Sequence, residues 1–395
     1  MTIIEYYSEI ALENAASTLA YRAKETILIY DKKILSPQIS AHAACLEKLF
    51  CKKIPGYRKL HLLPVDACDI FGNADLIVSI AQNKEECIFD LTGGAEPIMV
   101  SMGMAAEKLG NHRIHMHQFL LREGKSVCCH RSLPSHEAMP VQIPVDELIA
   151  LHGGTCHCGI ADDTPSFSKL VEALWDISRS DPTNWNKCLF LLNSSRGNNG
   201  KNKPALFAGN ISDVTEKNHV CKEIIIRLIS ADVLSSRGNQ LFFSDHETMN
   251  CFLKNGTVFE LTARKAVVDL LRRNGQYFPG AVEFEALIEW QNSAVKNEVD
   301  VIFMNGLIPV FISCKNGAVD DEELYKFKTV SEQFGGEKGI KILLVSPDAL
   351  GDNTQAFIAR ARHMGIRVIH NVGSMSIGKL SYEIAHQVEL AMNRI

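Results

Sequence analysis

Residues Lys296 to Gly317 read KNEVDVIFMNGLIPVFISCKNG, two apolar alternations joined by Asn305-Gly306. Val299, Val301 and Phe303 alternate on the first half, and Val310, Ile312 and Cys314 on the second. Asn-Gly is favoured in two-residue hairpin turns because both central positions need positive φ, so the stretch predicts a β-hairpin with the valines facing the core. If Met304 pairs with Leu307, then Asp300 faces Phe311, Glu298 faces Ser313 and Lys296 faces Lys315, all on the face opposite the valines. Acids and lysines thus converge at one end of the hairpin.

Such a cluster has two readings. Carboxylates on adjoining strands can hold a hard divalent cation through oxygen, with a lysine beside it to stabilise charge on a phosphate. The other reading is a solvated strand face with cross-strand charge pairs, common in antiparallel sheets. Gathering of the charges at one end, followed by Asn316-Gly317 and an acidic helix start, favours the first.

With the preceding helix, NGTVFELTARKAVVDLLRR bearing Glu260, this stretch resembles the PD-(D/E)XK nuclease core. More closely, FLKNGTVFEL is similar to the F-L-x-G-G-W-L-E segment of the CARF-domain effector nucleases found with type III CRISPR systems. KNEVDVIF and FISCKNG resemble their N-E-x-D-V and E-C-K segments, and the likeness spans about Phe252 to Gly317. It implies Glu260 and Asp300 as ligands of Mg²⁺ or Mn²⁺ and Lys315 as the catalytic lysine. Three departures stand out: Val258 replaces the tryptophan, one extra residue lies between Leu253 and Glu260, and Ser313 replaces the acid before Lys315. On the register above, Glu298 lies across from Ser313 and becomes a third candidate ligand. An inactivated nuclease is the competing reading.

Outward from this region, the chain has 395 residues, 46% hydrophobic and 22% charged, enough for two domains and a connector. A net charge of −5 gives no global basic field, so any nucleic-acid contact comes from a local patch. The N-terminus lacks the basic and apolar regions of a signal peptide, and no apolar run approaches the ~20 residues of a membrane span. Twelve cysteines without regular spacing suit a reducing compartment. The expected setting is cytoplasmic, with no membrane partner.

Residues 1 to about 125 alternate apolar strands such as ETILIYD and ECIFDL with amphipathic helices such as ENAASTLAYRAK. This is a βαβ series, predicting a parallel, doubly wound sheet with ligands at the carboxyl ends of its strands. Two loops lie there: Ser8 to Asn14, and Asp90 to Gly94. In the second, Thr92 offers a hydroxyl, while Gly93 and Gly94 permit close backbone approach at a helix N-terminus; an ordinary tight turn has the same composition. The arrangement resembles the CARF domain, a Rossmann-like sensor of cyclic oligoadenylates. The resemblance implies a ligand, cyclic tetra-adenylate ahead of the hexa-adenylate, held across a homodimer by Ser8, Asn14, Thr92, Gly93 and Gly94. Glu13 stands where a proline is common in relatives. Asp31, Lys32 and Lys33, after the second strand, are further candidates or a solvated pair.

Between the two regions, Cys128, Cys129, His130, His152, Cys156, His157 and Cys158 match no usual zinc spacing. Ser194 to Lys203 is a Gly- and Asn-rich loop with three basic residues. Glu216 to Ile229 reads as a helix ahead of a strand QLFFS, compatible with a winged-helix-like connector. Glu283 and Glu285 share a strand face, and Glu322 and Glu323 favour the dipole of the helix they open.

The organisation expected is α/β: a CARF sensor over 1–150, a connector over 151–250 and a PD-(D/E)XK, restriction-endonuclease-like domain over 251–395. The activity implied is a cyclic-oligoadenylate-activated, metal-dependent endonuclease cutting single-stranded DNA or RNA or nicking DNA in antiviral defence. The alternative is a non-catalytic cyclic-nucleotide-sensing regulator; a third reading has the sensor cleave its own ligand.

Overall fold

The computed structural model describes residues 1–110, 114–129, 138–159, 164–198, 204–216, 219–253, 256–290, 296–317, 319–336, 338–346 and 354–393. The N-terminal unit runs β1 (Thr2–Tyr6), α1 (Ala11–Ala20), β2 (Glu25–Asp31), α2 (Ser36–Lys53), β3 (Lys59–Val65), α3 (Ile70–Ala81), β4 (Cys87–Asp90), α4 (Glu96–Leu109), β5 (Ile114–Leu120) and β6 (Lys125–Cys128). Its sheet has the order β3-β2-β1-β4-β5-β6, parallel except for β6. Every residue of β1 and β4 is buried, as a parallel sheet covered on both faces requires. Leu12, Leu46 and Phe50 of α1 and α2 pack into one core, and Ile77, Ile98 and Met102 of α3 and α4 into another. Chain order reverses between β1 and β4, so the loops after these two strands border the crevice where such sheets bind ligands.

A middle stretch follows: α5 (Val145–Leu151), β7 (Gly154–His157), α6 (Pro165–Ser180), α7 (Pro182–Asn198), β8 (Phe207–Asn210), α8 (Ile211–Thr215), α9 (His219–Ser230), β9 (Leu234–Arg237), β10 (Gln240–Phe243) and α10 (His246–Leu253). Strands β8, β10 and β9 form a small antiparallel sheet beside these helices. Where the composition of Ser194 to Lys203 predicts a loop, α7 runs on to Asn198, and 199–203 lie outside the described residues.

The C-terminal unit runs α11 (Thr257–Arg273), β11 (Val282–Trp290), β12 (Lys296–Asn305), β13 (Ile308–Lys315), α12 (Asp321–Gly335), β14 (Ile340–Val345), α13 (Thr354–His363), β15 (Ile366–Ile369) and α14 (Ile377–Met392). Its sheet order is β15-β14-β13-β12-β11-β7, antiparallel from β7 to β13 and parallel from β13 to β15. Strand β7, which the sequence reading placed in the connector, is thus the edge strand of this sheet. One apolar core joins the α1–α2 side of the N-terminal sheet to the C-terminal unit through Ile143, Val145 and Leu148, all fully buried. Each large apolar side chain in it contributes roughly 1.5–3 kcal/mol. Among the described residues no helix is long and apolar enough to cross a membrane.

The hairpin forms, but its register differs from the expected one. Asn305 pairs with Ile308, so the turn is Gly306-Leu307, with Gly306 at φ 64°. Glycine at the first central position is the demand of a type II′ turn. Extending the observed register puts Asp300 opposite Ser313 and Glu298 opposite Lys315. Glu298 therefore does not fill the space in front of Ser313, and Lys296 pairs instead with Glu289 of β11.

Candidate functional site

The two N-terminal loops, Ser8 to Asn14 and Asp90 to Gly94, are built on a buried carboxylate pair. Glu5 and Asp90 are register partners on β1 and β4, and both are almost fully buried. Burial pushes Asp90 up to about 6, with hydrogen bonds from Thr92 pulling the other way. Burial, and then the Asp90 charge, push Glu5 well above the usual carboxylate range. Asp90 Oδ1 accepts from Thr92 N at 2.9 Å and from the Thr92 hydroxyl, which in turn accepts from Phe119 N at 2.8 Å. Thr92 is therefore tied to β4 and β5 at once.

Asn14 is buried and its amide is spent on shaping the first loop. Its Oδ1 accepts from Ser8 N at 2.9 Å, and its Nδ2 donates to Tyr6 O at 2.8 Å and Glu5 Oε2 at 3.3 Å. Ser8 donates its hydroxyl to Glu13 Oε2 at 2.6 Å. Glu13 also forms an ion pair with Lys338, which lies between α12 and β14. The glycines make this crossing of loops possible: a Cβ on Gly93 would lie 2.5 Å from Glu13 Oε2, and one on Gly94 would lie 2.7 Å from Tyr6 Cβ, at φ 121°. Ser8, Asn14, Thr92, Gly93 and Gly94 are thus brought together, with Glu13 at their centre. By contrast, Lys32 pairs with Asp66, and Asp31 accepts from Lys33 N.

A cavity of about 770 Å³ opens beside the first loop, between Tyr7, Gln38 and His42 on one side and His152, Gly153 and Thr155 on the other. Tyr7 and His42 meet edge to face, with centroids 4.9 Å apart. Burial pulls His42 down to about 4 and also lowers His152, so both imidazoles are neutral at pH 7. Sequence reading missed His42, which is mid-helix, and weighed His152 only as a zinc ligand; packing alone brings the two to one cavity.

In the C-terminal unit, Glu260 lies in the first turn of α11, Asp300 on β12, and Ser313 and Lys315 at the end of β13. Asp300 Oδ2 accepts from Cys314 N at 2.6 Å and from Ser313 Oγ at 3.2 Å. Burial raises Asp300 above the usual range, while the Cys314 N–H and the Lys315 charge oppose that rise. Burial pushes the Cys314 thiol up, and the charges of Asp300 and Glu260 add to the rise. Lys315 pairs with Glu323 of α12, a partner that sequence reading assigned only to the helix dipole. Glu298 is exposed.

Among the described residues no three His, Cys, Asp or Glu side chains converge as a metal site, so the expected trio Glu260, Asp300 and Glu298 is not assembled. The donors nonetheless fit a hard divalent cation that keeps waters, since Mg²⁺ is commonly held by one or two carboxylates plus substrate phosphate. Asp300 is short of compensating positive charge, and both donors that restrain it act on Oδ2.

No family model matches this chain, and no curated protein matches it in sequence. Among solved structures it is similar to protein VC1899 from Vibrio cholerae, with TM-score 0.77 and 15% identity over 99% of this chain and 98% of that one. It is also similar to Can2 from Sulfobacillus thermosulfidooxidans, solved in complex with cyclic tetra-adenylate, with TM-score 0.65 and 15% identity over 98% and 99%. The shared property is the fold, over essentially the whole length of each chain.

Proposed function

We propose that this chain is a cyclic-oligoadenylate-activated, metal-dependent nuclease of type III CRISPR defence, working as a homodimer. The observation that supports the reading is the element placement: Glu260 opens the helix packed on β12 and β13, the strands that carry Asp300 and Lys315, in a chain that also builds a doubly wound sheet with the Thr92-Gly93-Gly94 loop at its switch point. Can2, which shares the fold, was solved with cyclic tetra-adenylate, and that ring is the activator proposed here.

In the sensor, neutral His42 borders the cavity with buried Tyr7 packed edge to face against it, and an adenine entering there would stack on the imidazole, as single-stranded nucleotides do on aromatic side chains. Ligand favours one arrangement of the two subunits by its differential affinity for the two states. At the nuclease site, Glu260 and Asp300 would hold Mg²⁺ or Mn²⁺. Bound there, such a cation would supply charge stabilisation at a scissile phosphate and lower the pKa of a coordinated water. Ser313 and the Cys314 N–H hold one oxygen of Asp300 in place, leaving the other to face outward chemistry. Lys315, positioned by Glu323, offers its ammonium to charge developing on the phosphate.

A second reading is supported by Ser313 standing in place of the motif acid: a regulator whose C-terminal unit binds nucleic acid without cutting it. One assay separates the two. Single-stranded DNA, single-stranded RNA and supercoiled plasmid are incubated with Mn²⁺ or Mg²⁺, with and without cyclic tetra-adenylate, beside Lys315→Ala. Ligand-dependent cutting that the substitution abolishes supports the nuclease; tight ligand binding without cutting under any condition supports the regulator.

A further inference from the structure

A second cavity, of about 250 Å³, opens between the sensor and the C-terminal unit. Thr92 and Arg122 line it from the sensor, and Ile308, Lys338 and Ile340 line it from the other unit. Arg122 follows the carboxyl end of β5, the neighbour of β4, and so lies on the edge where parallel sheets bind ligands. Its Nε and Nη2 are buried and have no acceptor among the described residues. A guanidinium cannot shed its charge, and each buried donor left without an acceptor costs roughly 1–3 kcal/mol. An anion in the adjoining cavity removes that cost.

The second cation of the cavity is Lys338, whose ammonium is engaged by Glu13. Glu13 is the residue that also takes the Ser8 hydroxyl and covers Gly93. Lys338 therefore links the C-terminal unit to both sensor loops. The acidic residue of the cavity lining is Glu123, which is exposed.

We propose that this cavity is an oxyanion site in which Arg122 and Lys338 take phosphate groups of the nucleotide ligand, so that the C-terminal unit completes the sensor's site within the same chain. The identity of the ligand rests on the cyclic-oligoadenylate reading above; the anion chemistry rests on the cavity and its two cations. A phosphate on Lys338 competes with Glu13 for the ammonium, which loosens the contact pinning the first sensor loop to the C-terminal unit. Ligand binding and the contact between units are thereby linked, and linkage of this kind is reciprocal.

The test is titration calorimetry on the full chain with cyclic tetra-adenylate and, separately, with inorganic pyrophosphate. Wild type is compared with Arg122→Gln, Lys338→Gln and the control Lys222→Gln, whose lysine is exposed on α9. Arg122→Gln and Lys338→Gln are expected to weaken both ligands at least 10-fold and to flatten the slope of log K against log salt by about 1 each, with Lys222→Gln unchanged. Ligand-free melting of Arg122→Gln is expected at or above wild type, because an unsatisfied buried charge is removed; a purely structural arginine would lower it. Cyclic tetra-adenylate binding that ignores both substitutions overturns the oxyanion site and leaves the proposed function standing. Pyrophosphate binding that needs Arg122, in a protein that binds no cyclic oligoadenylate, keeps the site and removes the proposed ligand. Binding of neither ligand by wild type overturns both.

Discussion

Ser313 and Asp300 face each other on adjoining strands, and the serine hydroxyl donates to the Asp300 carboxylate at 3.2 Å. The motif position that the family resemblance fills with an acid is occupied here by a donor that holds the neighbouring acid in place. Ser313→Asp replaces that hydrogen bond with like-charge repulsion against a carboxylate already raised by burial. Without metal, the variant is expected to melt several degrees below wild type; with Mn²⁺ its melting temperature should rise more than that of wild type. Differential scanning fluorimetry with and without Mn²⁺ reads both, and equal metal responses would remove Ser313 from the metal-binding account.

Lys315 and Glu323 form an ion pair in which each side chain is about one-third exposed, 33% and 35%. Pairs this open are worth less than about 1 kcal/mol. Glu323→Gln and Lys315→Ala should therefore both melt within a few degrees of wild type. Their activities should separate: Lys315→Ala is expected to lose on the order of 10²-fold or more in ligand-dependent cutting, the scale of one transition-state electrostatic partner. Glu323→Gln, which only releases the lysine, should lose less. Equal activity in Lys315→Ala and wild type would refute the role of the lysine.

Element types over most of the chain were legible because local pattern and packing agree: β2 covers the ETILIYD stretch and α11 runs through the helix that bears Glu260, as the sequence pattern put them. The hairpin register was not. A shift of two residues leaves every side chain on its original face, so the alternation of valines is blind to it. Only turn chemistry discriminates, and Gly306-Leu307 prevails over Asn305-Gly306. Strand β7 was illegible for another reason: four residues, GTCH, carry no pattern that outweighs their metal-like composition. The Glu13–Lys338 pair joins residues 325 positions apart, a contact that no local reading supplies.

Asp90 gives a stability signature with a definite sign. Burial holds its folded value at about 6, above the ~3.9 of an unfolded aspartate, so the folded state binds the proton more tightly. The cost of ionising it is absent below about pH 4, sets in as pH climbs, and is complete above about pH 6. Asp90→Asn keeps an oxygen to accept from Thr92 and removes the charge. The variant should therefore gain on wild type by about 1.4 kcal/mol between pH 5 and pH 8, roughly half of the full effect of about 3 kcal/mol, the other half having set in below pH 5. Urea denaturation at the two pH values measures the gain; a constant difference between variant and wild type would mean that Asp90 does not titrate in this window.

Gly93 and Gly103 give opposite expectations for the same substitution. A Cβ on Gly93 meets Glu13 Oε2 at 2.5 Å and Ser8 Cβ at 3.0 Å, whereas one on Gly103, within α4, meets nothing within 4 Å. Gly93→Ala must push Glu13 away from Ser8 and Lys338, and overpacking of this kind costs about 1–3 kcal/mol. Gly103→Ala replaces a mid-helix glycine in open space and should stabilise by about 0.5–1 kcal/mol. The functional readout follows the two loops: Gly93→Ala is expected to weaken cyclic tetra-adenylate binding at least 10-fold, because the added Cβ forces the Ser8 and Thr92-Gly93-Gly94 loops apart. Gly103→Ala should bind as wild type does. Paired melts and calorimetry decide the matter, and a Gly93→Ala protein that binds the ring unchanged would show that the crossing of Gly93 and Glu13 serves packing alone.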